Sequence, residues 1–245
     1  MTAFGAPVAE ALVAGLPASF GDTVLDLAAG TGDVTEALAN NGARVISTDV
    51  SPVMVEAARR RGISGVDHRV MDMQAIELPD SSVDAVVSRY AYMLVPDPAL
   101  ALRETRRVLR PGGRLAFATW APAKRNPWAT AYGPVLIERG LLEAPKPDEP
   151  GQFSLGEPAR LEELVRGAGF DHVSVNEVPV VFRAESWAEY RRIVSSLAAS
   201  MRQVLEALDD AARAEVDEAA KARIEPFRSG EGYELPGLTL VTTAS

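Results

Sequence analysis

Residues 24–33 read VLDLAAGTGD, an apolar strand that runs into a glycine turn and the start of a helix. The next apolar run, ARVISTD, ends on the carboxylate of Asp49. A strand, a glycine turn and a helix, with an acid closing the second strand, are typical of an open α/β sheet that binds an adenosine-bearing ligand. NAD, FAD and S-adenosylmethionine are all bound by relatives of this pattern, so the motif predicts a pocket and leaves its ligand open.

The composition is that of a soluble globular protein. The chain has 245 residues, of which 47% are hydrophobic and 24% charged, which is enough for one substantial core. Its 34 acids outnumber its 25 bases for a net charge of −9, which argues against nucleic acid or an anionic membrane as the main partner. The absence of cysteine excludes disulfides, a thiolate nucleophile and zinc–thiolate sites. With no basic leader and no membrane-spanning apolar run, we expect a cytoplasmic location.

Strands alternate with helices along the first half of the sequence, which predicts an α/β fold with a doubly wound, Rossmann-like sheet. Asp33 and Glu36 have the spacing of a capping box, and Ser51 followed by Pro52 is a typical helix start. A Pro-Gly-Gly turn at 111–113 precedes the fifth strand. We predict strands over 23–28, 43–49, 66–71, 83–89 and 114–120, and helices over 7–18, 33–40, 52–61 and 98–109.

The last third of the sequence departs from this alternation. The polar, proline-rich stretch at 145–151 reads as a stiff linker. Around it we predict helices over 126–140, 157–168, 186–208 and 210–226, a long strand over 170–183 and a last strand over 237–243. The apolar stripe of the 186–208 helix either packs within the fold, forms a dimer seam or covers a substrate as a lid.

Five sequence blocks resemble the class I S-adenosylmethionine-dependent methyltransferases, type 11 branch, and are similar to the ubiquinone/menaquinone-biosynthesis C-methyltransferases. In order they are VLDLAAGTGD, STDVSPVMVEAAR, VMDMQAIELPDSSVDAVVSRYAYMLVPDP, LRETRRVLRPGGRLAFATW and GLTLVTTA. The resemblance is close over about 22–120 and holds in outline beyond. It implies S-adenosylmethionine as cofactor and a seven-stranded sheet with an antiparallel last strand and a helical lid insertion. Independently, Thr35 stands where a dinucleotide fingerprint has its third glycine.

The resemblance also implies a domain plan and a cofactor site. We expect one domain overall, with a cofactor-binding core (1–125), a substrate-side helix and linker (126–151), the rest of the core sheet (152–184 and 236–245), and a helical insertion (185–235) that serves as lid or oligomer contact. The implied cofactor-binding residues are Asp26, Ala28, Gly30, Gly32, Asp49, Val50, Met54, Asp72, Met73, Ser88 and Arg89.

Three acids have defined roles in that implied site. Asp26 orders the glycine loop and faces the methionine ammonium, Asp49 accepts both ribose hydroxyls, and Asp72 accepts from the adenine amino group. Each acid also has an ordinary structural alternative. Asp26 could serve the loop alone, Asp49 could cap a helix, and Asp72 could be a solvated loop carboxylate.

The acceptor side is less clearly defined. Arg89 departs from the small or aromatic residue expected at the end of the fourth strand, and either binds a carboxylate or phenolate of the acceptor or pairs with a nearby acid. Arg89, Tyr90 and Tyr92 are the catalytic candidates, the two tyrosines as orienting groups or weak bases. The candidates for an aromatic wall along a planar acceptor, with ordinary core packing as the alternative, are Trp120, Trp128 and Tyr132.

Methyl transfer requires the protein to align the acceptor and exclude water, and a base only where the acceptor's proton is hard to lose. His68 and His172 begin strands, at the end remote from the predicted cofactor, so neither is a candidate base. We therefore predict a methyltransferase acting at carbon or oxygen of a small hydrophobic or aromatic molecule, with no metal. An N-methyltransferase of a small amine, an NAD(P)-dependent oxidoreductase, a non-catalytic S-adenosylmethionine-binding protein and a homodimer stay open.

Overall fold

The computed structural model describes residues 5–16, 21–146, 149–197 and 199–245, with the side chains of 199 and 200 outside the description. The chain divides into two compact units. The first comprises Met1–Ala121, Glu149–Val178 and Thr239–Ser245, and the second comprises Pro122–Asp148 and Pro179–Leu238. The finer domain plan given above stays a prediction.

The helices and strands are as follows. The α-helices are α1 (Gly5–Gly15), α2 (Asp33–Asn40), α3 (Pro52–Arg60), α4 (Pro98–Val108), α5 (Tyr132–Glu138), α6 (Pro158–Gly167), α7 (Trp187–Leu197), α8 (Ala199–Ala207) and α9 (Asp210–Ile224). The strands are β1 (Thr23–Leu27), β2 (Arg44–Asp49), β3 (Val66–Val70), β4 (Val83–Arg89), β5 (Leu109–Trp120), β6 (Val173–Ala184), β7 (Arg228–Ser229) and β8 (Gly232–Ala244). Short 3-10 turns occur at Tyr92–Leu94, Ala123–Arg125, Pro127–Ala129 and Glu225–Phe227.

The strands form one sheet in the order β3-β2-β1-β4-β5-β8-β6, and the short β7 pairs with β8 beside this path. Strands β1 to β5 pair in parallel, whereas β8 runs antiparallel to β5. This confirms the predicted doubly wound α/β fold with its antiparallel last strand. The order reverses at β1 and β4, and ligands of open α/β sheets bind beyond the carboxyl ends of the strands at such a switch point.

The first turns of α3 and α2 can be compared with the helix caps predicted from the sequence. Helix α3 begins as predicted, because the Ser51 side chain accepts from the Met54 N–H and Pro52 occupies the first turn. The predicted capping box of α2 is wrong. Its N-cap is Gly32, at φ +87° and without a side-chain cap, while Asp33 and Glu36 both pair with the guanidinium of Arg61.

Several later elements differ from the predicted ones. The stretch 126–140 is helical only over α5, since 3-10 turns replace its first part. The predicted 186–208 helix is divided into α7 and α8, and Ala198 lies outside the described residues. Leu197 is 51% exposed, so the predicted apolar stripe does not continue as one buried face. Helix α1 ends at Gly15, and 17–20 and 147–148 lie outside the description. Strand β5 already includes the Pro-Gly-Gly stretch, with a register shift against β4.

Within the described ranges, no helix has both the length and the apolar character needed to cross a bilayer. Among the same residues, no group of three or more His, Cys, Asp or Glu side chains is arranged to hold a metal ion.

Candidate active site

The chain leaves β1 through a turn with three left-handed residues, Ala28 (φ +55°), Gly30 (φ +57°) and Gly32 (φ +87°). Glycine adopts this conformation without a steric cost, whereas alanine rarely does. The Ala29 N–H donates to the Thr48 carbonyl at 2.7 Å, which ties the turn to β2. The glycines thus allow the backbone to pass close to the end of the neighbouring strand.

Asp49 ends β2 with a carboxylate that is held on both sides. Its Oδ2 accepts from the Gly30 N–H at 3.0 Å, and its Oδ1 accepts from the Ser51 N–H at 2.9 Å. A carboxylate oxygen can accept more than one hydrogen bond, so each oxygen keeps capacity for a further donor. The turn therefore presents an oriented carboxylate that can receive two neighbouring hydroxyl groups.

A cavity of about 550 Å³ opens beside this carboxylate. Small-molecule sites are typically of this size and are mostly apolar with a few polar groups. The cavity is lined by Ala28, Asp49, Val50, Met71, Asp72, Met73, Gln74, Tyr90, Ala91, Leu94, Val95 and Pro96. It brings together six of the predicted site residues, namely Ala28, Asp49, Val50, Asp72, Met73 and Tyr90.

Val50, Asp72 and Met54 differ in their exposure and in their contacts at or near this cavity. The Val50 side chain is 67% exposed, so it offers an open apolar surface beside Asp49. Asp72 accepts from the Gln74 N–H through Oδ1 at 2.8 Å, which orients its carboxylate. Met54, predicted beside Val50, is 43% exposed on the first turn of α3 and is not among the lining residues.

Asp26 lies within β1 and is 1% exposed. Its Oδ2 accepts from the Thr35 hydroxyl at 2.6 Å. Burial raises the pKa of the Asp26 carboxyl from 3.8 to about 7, against the opposing effects of the Thr35 hydrogen bond and the charge of Arg89. In the sequence, Thr35 stood out only because it occupies the position of a dinucleotide fingerprint's third glycine. The structure shows that its hydroxyl donates a hydrogen bond to this buried acid.

Arg89 ends β4 and pairs with an acid of the chain, one of the two roles that the sequence left open. Its Nη2 lies 3.1 Å from Asp33 Oδ2, and Asp33 also binds Arg61. Ser88, the residue before it, is buried and donates its hydroxyl to the Leu27 carbonyl at 2.9 Å. Ser88 therefore joins β4 to β1, and neither side chain is among those that line the cavity.

Tyr90 is the catalytic candidate that reaches the cavity. It has a left-handed backbone at φ +62°, a conformation that is uncommon for a bulky residue and is found at functional sites. Its ring stacks on Trp120 with centroids 4.3 Å apart, and its hydroxyl lies 2.8 Å from Thr239 Oγ1. Burial raises the pKa of the Tyr90 phenol, so this group stays neutral near physiological pH.

Tyr92 was predicted to act beside Tyr90, but its side chain is directed elsewhere. The residue is fully buried, and its hydroxyl lies 2.6 Å from Thr105 Oγ1 on α4. Its ring packs against Phe117 with centroids 4.7 Å apart. Tyr92 therefore packs the sheet against α4 and is not among the cavity residues.

Trp128 and Tyr132, predicted to line an acceptor, belong to the aromatic core of the second unit. Trp128 stacks on Phe182 at 5.7 Å, and its indole N–H donates to Asn126 at 3.1 Å. Tyr132 is fully buried and donates its hydroxyl to Asp217 at 2.7 Å. Within this unit both residues play the ordinary core role that the sequence left as the alternative.

The methyltransferase domain family matches residues 25–117 of the chain. The ubiquinone/menaquinone biosynthesis C-methyltransferase of Acidiphilium cryptum is 34% identical over 168 residues, which are 62% of this chain and 67% of that protein. The chain belongs to the class I S-adenosylmethionine-dependent methyltransferases. The chain also shares its fold with the YcgJ protein of Bacillus subtilis, with a TM-score of 0.61 and 18% identity. The match covers 96% of each of the two chains.

Other relatives are matched over a smaller part of their length. A Mycobacterium tuberculosis protein is 35% identical over 118 residues, which cover 47% of this methyltransferase and 43% of that protein. The chain therefore spans less than half the length of that relative. The family and the family's cofactor, both predicted from the sequence blocks, are confirmed, whereas the individual site residues stay predictions.

Proposed function

We propose that this chain transfers the methyl group of S-adenosylmethionine to carbon or oxygen of a small hydrophobic or aromatic molecule. The observation that carries the proposal is the Asp49 carboxylate, oriented by two backbone N–H groups at the rim of a 550 Å³ cavity. Its spare acceptor capacity suits the two vicinal hydroxyls of a ribose. The acidic composition supports an enzyme with no nucleic-acid partner, whereas its cytoplasmic location stays a prediction and whether it forms a homodimer stays open.

The other cavity residues complete a plausible set of contacts for this cofactor. Asp72 would accept from the adenine amino group, while Val50 and Met73 supply apolar surface for the adenine ring. The turn at Gly30 and Gly32 allows close backbone approach, and Asp26 beneath it would balance the ammonium charge. When bound, S-adenosylmethionine supplies the activated methyl group, and the protein aligns the acceptor and excludes water.

The described lining residues of the cavity include no histidine, lysine or cysteine that could act as a general base, and this bears on the nature of the acceptor. Tyr90 has a raised pKa and a hydroxyl already bonded to Thr239, so it can orient an acceptor but is a poor base. An acceptor that ionises easily, such as a phenol or an activated carbon, requires no stronger base. Apolar lining residues, Leu94, Val95 and Pro96, favour a hydrophobic molecule. The Acidiphilium cryptum relative is named a C-methyltransferase, which supports carbon as the methylated atom.

Binding of S-adenosylhomocysteine, measured by isothermal titration calorimetry, tests the cofactor assignment. Asp49→Ala removes two hydrogen bonds to a charged acceptor, so we expect a loss of about 3 kcal/mol, or roughly 150-fold in Kd. Asp67→Ala is the matched control, because Asp67 is an exposed acid on the neighbouring β3 and pairs with Arg69. Unchanged binding by Asp49→Ala, or equal binding of NAD by the wild type, would contradict the proposal.

Methyl transfer itself is measured as S-adenosylhomocysteine release with matched phenol, enol and amine acceptors of similar size. Turnover of the phenols or enols is the expected result. Turnover of the amines alone would instead establish the N-methyltransferase alternative. If the protein binds S-adenosylhomocysteine tightly but turns over none of these acceptors, the non-catalytic alternative is favoured.

A further inference from the structure

Arg89 and Asp26 project from the same face of the sheet. Strands β1 and β4 pair in parallel with Asp26 opposite Val87. Because side chains alternate along a strand, Arg89, two residues beyond Val87, shares the face of Asp26. Both side chains also reach the first turn of α2, Asp26 through Thr35 at 2.6 Å and Arg89 through Asp33 at 3.1 Å.

Asp33 is held by two arginines, each bound to a different oxygen of its carboxylate. Arg61 binds Asp33 Oδ1 at 2.7 Å and also donates to the Thr31 carbonyl at 2.9 Å. Arg89 binds the other oxygen, Oδ2. The turn is therefore fixed at Thr31 by a hydrogen bond and at Asp33 by two ion pairs, which anchor it to β4 and to the end of α3.

Only part of the Arg89 guanidinium is used in this pairing. The side chain is 20% exposed, and its buried Nη1 has no hydrogen-bond partner among the described residues. Leaving a charged donor buried and unpaired is costly, so pairing with Asp33 alone does not account for its placement. Burial disfavours the ionised form of Asp26 most strongly, and the Asp49 carboxylate adds to this effect; the Thr35 hydroxyl, Arg89 and the Thr35 backbone N–H favour the ionised form.

We propose that Arg89 is a positioning residue for the cofactor site: through Asp33 it fixes the glycine turn, and its positive charge favours the ionised form of Asp26, which receives the cofactor's ammonium group. The inference rests on the proposed function. A neutral Asp26 would leave that ammonium without a counter-charge, so affinity should follow the ionised fraction of this acid. Arg89 then acts without touching the acceptor.

The test is the pH dependence of S-adenosylhomocysteine affinity between about pH 5.5 and 9, by calorimetry. Wild-type affinity should fall about tenfold per pH unit below the Asp26 pKa. Arg89→Gln should displace that profile upward by about one pH unit, and the loss of the Asp33 ion pair should leave a further, pH-independent weakening that persists at high pH. Arg89→Lys retains the charge and should follow the wild-type profile. Arg110→Gln, which breaks an exposed pair with Asp84, is the matched control and should leave the profile unchanged.

Three results would overturn the inference. Arg89→Gln could weaken binding by one factor at every pH, which is what a purely structural role produces, or it could match the wild type throughout. If Arg89→Gln does not fold, Arg89→Lys decides, because an upward displacement of its profile rules out a role of the charge. Failure of the wild type to bind S-adenosylhomocysteine at any pH would instead refute the proposed function itself.

Discussion

Replacing Asp26 by asparagine should make the free protein more stable above neutral pH while it impairs cofactor binding. Asp26 is buried, and its pKa is about 7 in the folded chain against 3.8 for an unperturbed aspartate. The folded state therefore retains a proton that the unfolded state has lost over this range. Stability contributed by the neutral acid is fully present below pH 3.8 and is lost as the pH rises towards 7.

The size of this effect follows from the difference between the two pKa values. Roughly three pKa units at about 1.4 kcal/mol each give a cost on the order of 4 kcal/mol once Asp26 is ionised in both states. Between about pH 5 and pH 8 the change amounts to about 3 kcal/mol, because part of the cost is already present at pH 5. Asparagine avoids that cost at every pH, since it carries no charge to bury.

Urea unfolding of the wild type and Asp26→Asn at pH 5 and pH 8, followed by circular dichroism, measures this difference. The stability gap in favour of Asp26→Asn should widen by about 3 kcal/mol between the two pH values. The same variant should bind S-adenosylhomocysteine at least about tenfold more weakly, because a charge-assisted contact is lost. Asp67→Asn, an exposed acid on β3, is the control and should show no widening. A gap that stays constant with pH would refute the raised pKa.

Two further variants test the residues that the structure places in the core. Tyr92→Phe removes the hydroxyl that bonds to Thr105, so we expect a loss of about 1 kcal/mol in the free energy of unfolding. The affinity for S-adenosylhomocysteine should not change. A tenfold loss of that affinity would indicate that Tyr92 does contribute to the cofactor site. Asp217→Ala leaves the Tyr132 hydroxyl and the partly exposed Arg191 without their acceptor and should cost about 2 kcal/mol in urea unfolding. A cost no greater than that of Tyr132→Phe would contradict a role for the Arg191 pair.

The first half of the fold could be predicted closely from the sequence. Buried parallel strands appear as nearly continuous apolar runs, which explains why β1 and β4 match the structure to within a residue. Strands β2 and β3 also match to within a residue, although β3 is largely exposed. The stretch 126–140 could not be predicted in the same way, because aromatic residues at helical spacing there pack as part of a core built on 3-10 turns. The antiparallel last strand followed from the family resemblance, since its pairing partner β5 is distant in sequence.

The candidate site shows the same contrast between what local sequence determines and what depends on residues distant in sequence. The position of Asp49, Asp72 and Tyr90 at the cavity could be predicted because each lies at or just beyond the end of a strand, whereas their roles stay predictions. The partner of Arg89 could not, because Asp33 lies 56 residues away and the choice between acceptor and acid depends on where the side chain turns. The buried position of the Tyr92 side chain could not be predicted for a related reason. In a 3-10 turn, a shift of one residue changes which side chain faces the cavity and which faces α4.

The burial of Asp26 links the stability of the free protein to its affinity for the cofactor. An exposed carboxylate would already be ionised and solvated, so pairing with an ammonium group would yield little free energy. A buried carboxylate is costly to ionise alone, and a bound cation then offsets a larger part of that cost. Arg89 lowers the cost by supplying a fixed charge, and Thr35 lowers it through a hydrogen bond. On the proposal that Asp26 receives the cofactor's ammonium group, residues of β4 and α2 would set the affinity for S-adenosylmethionine at neutral pH together with those that line the cavity.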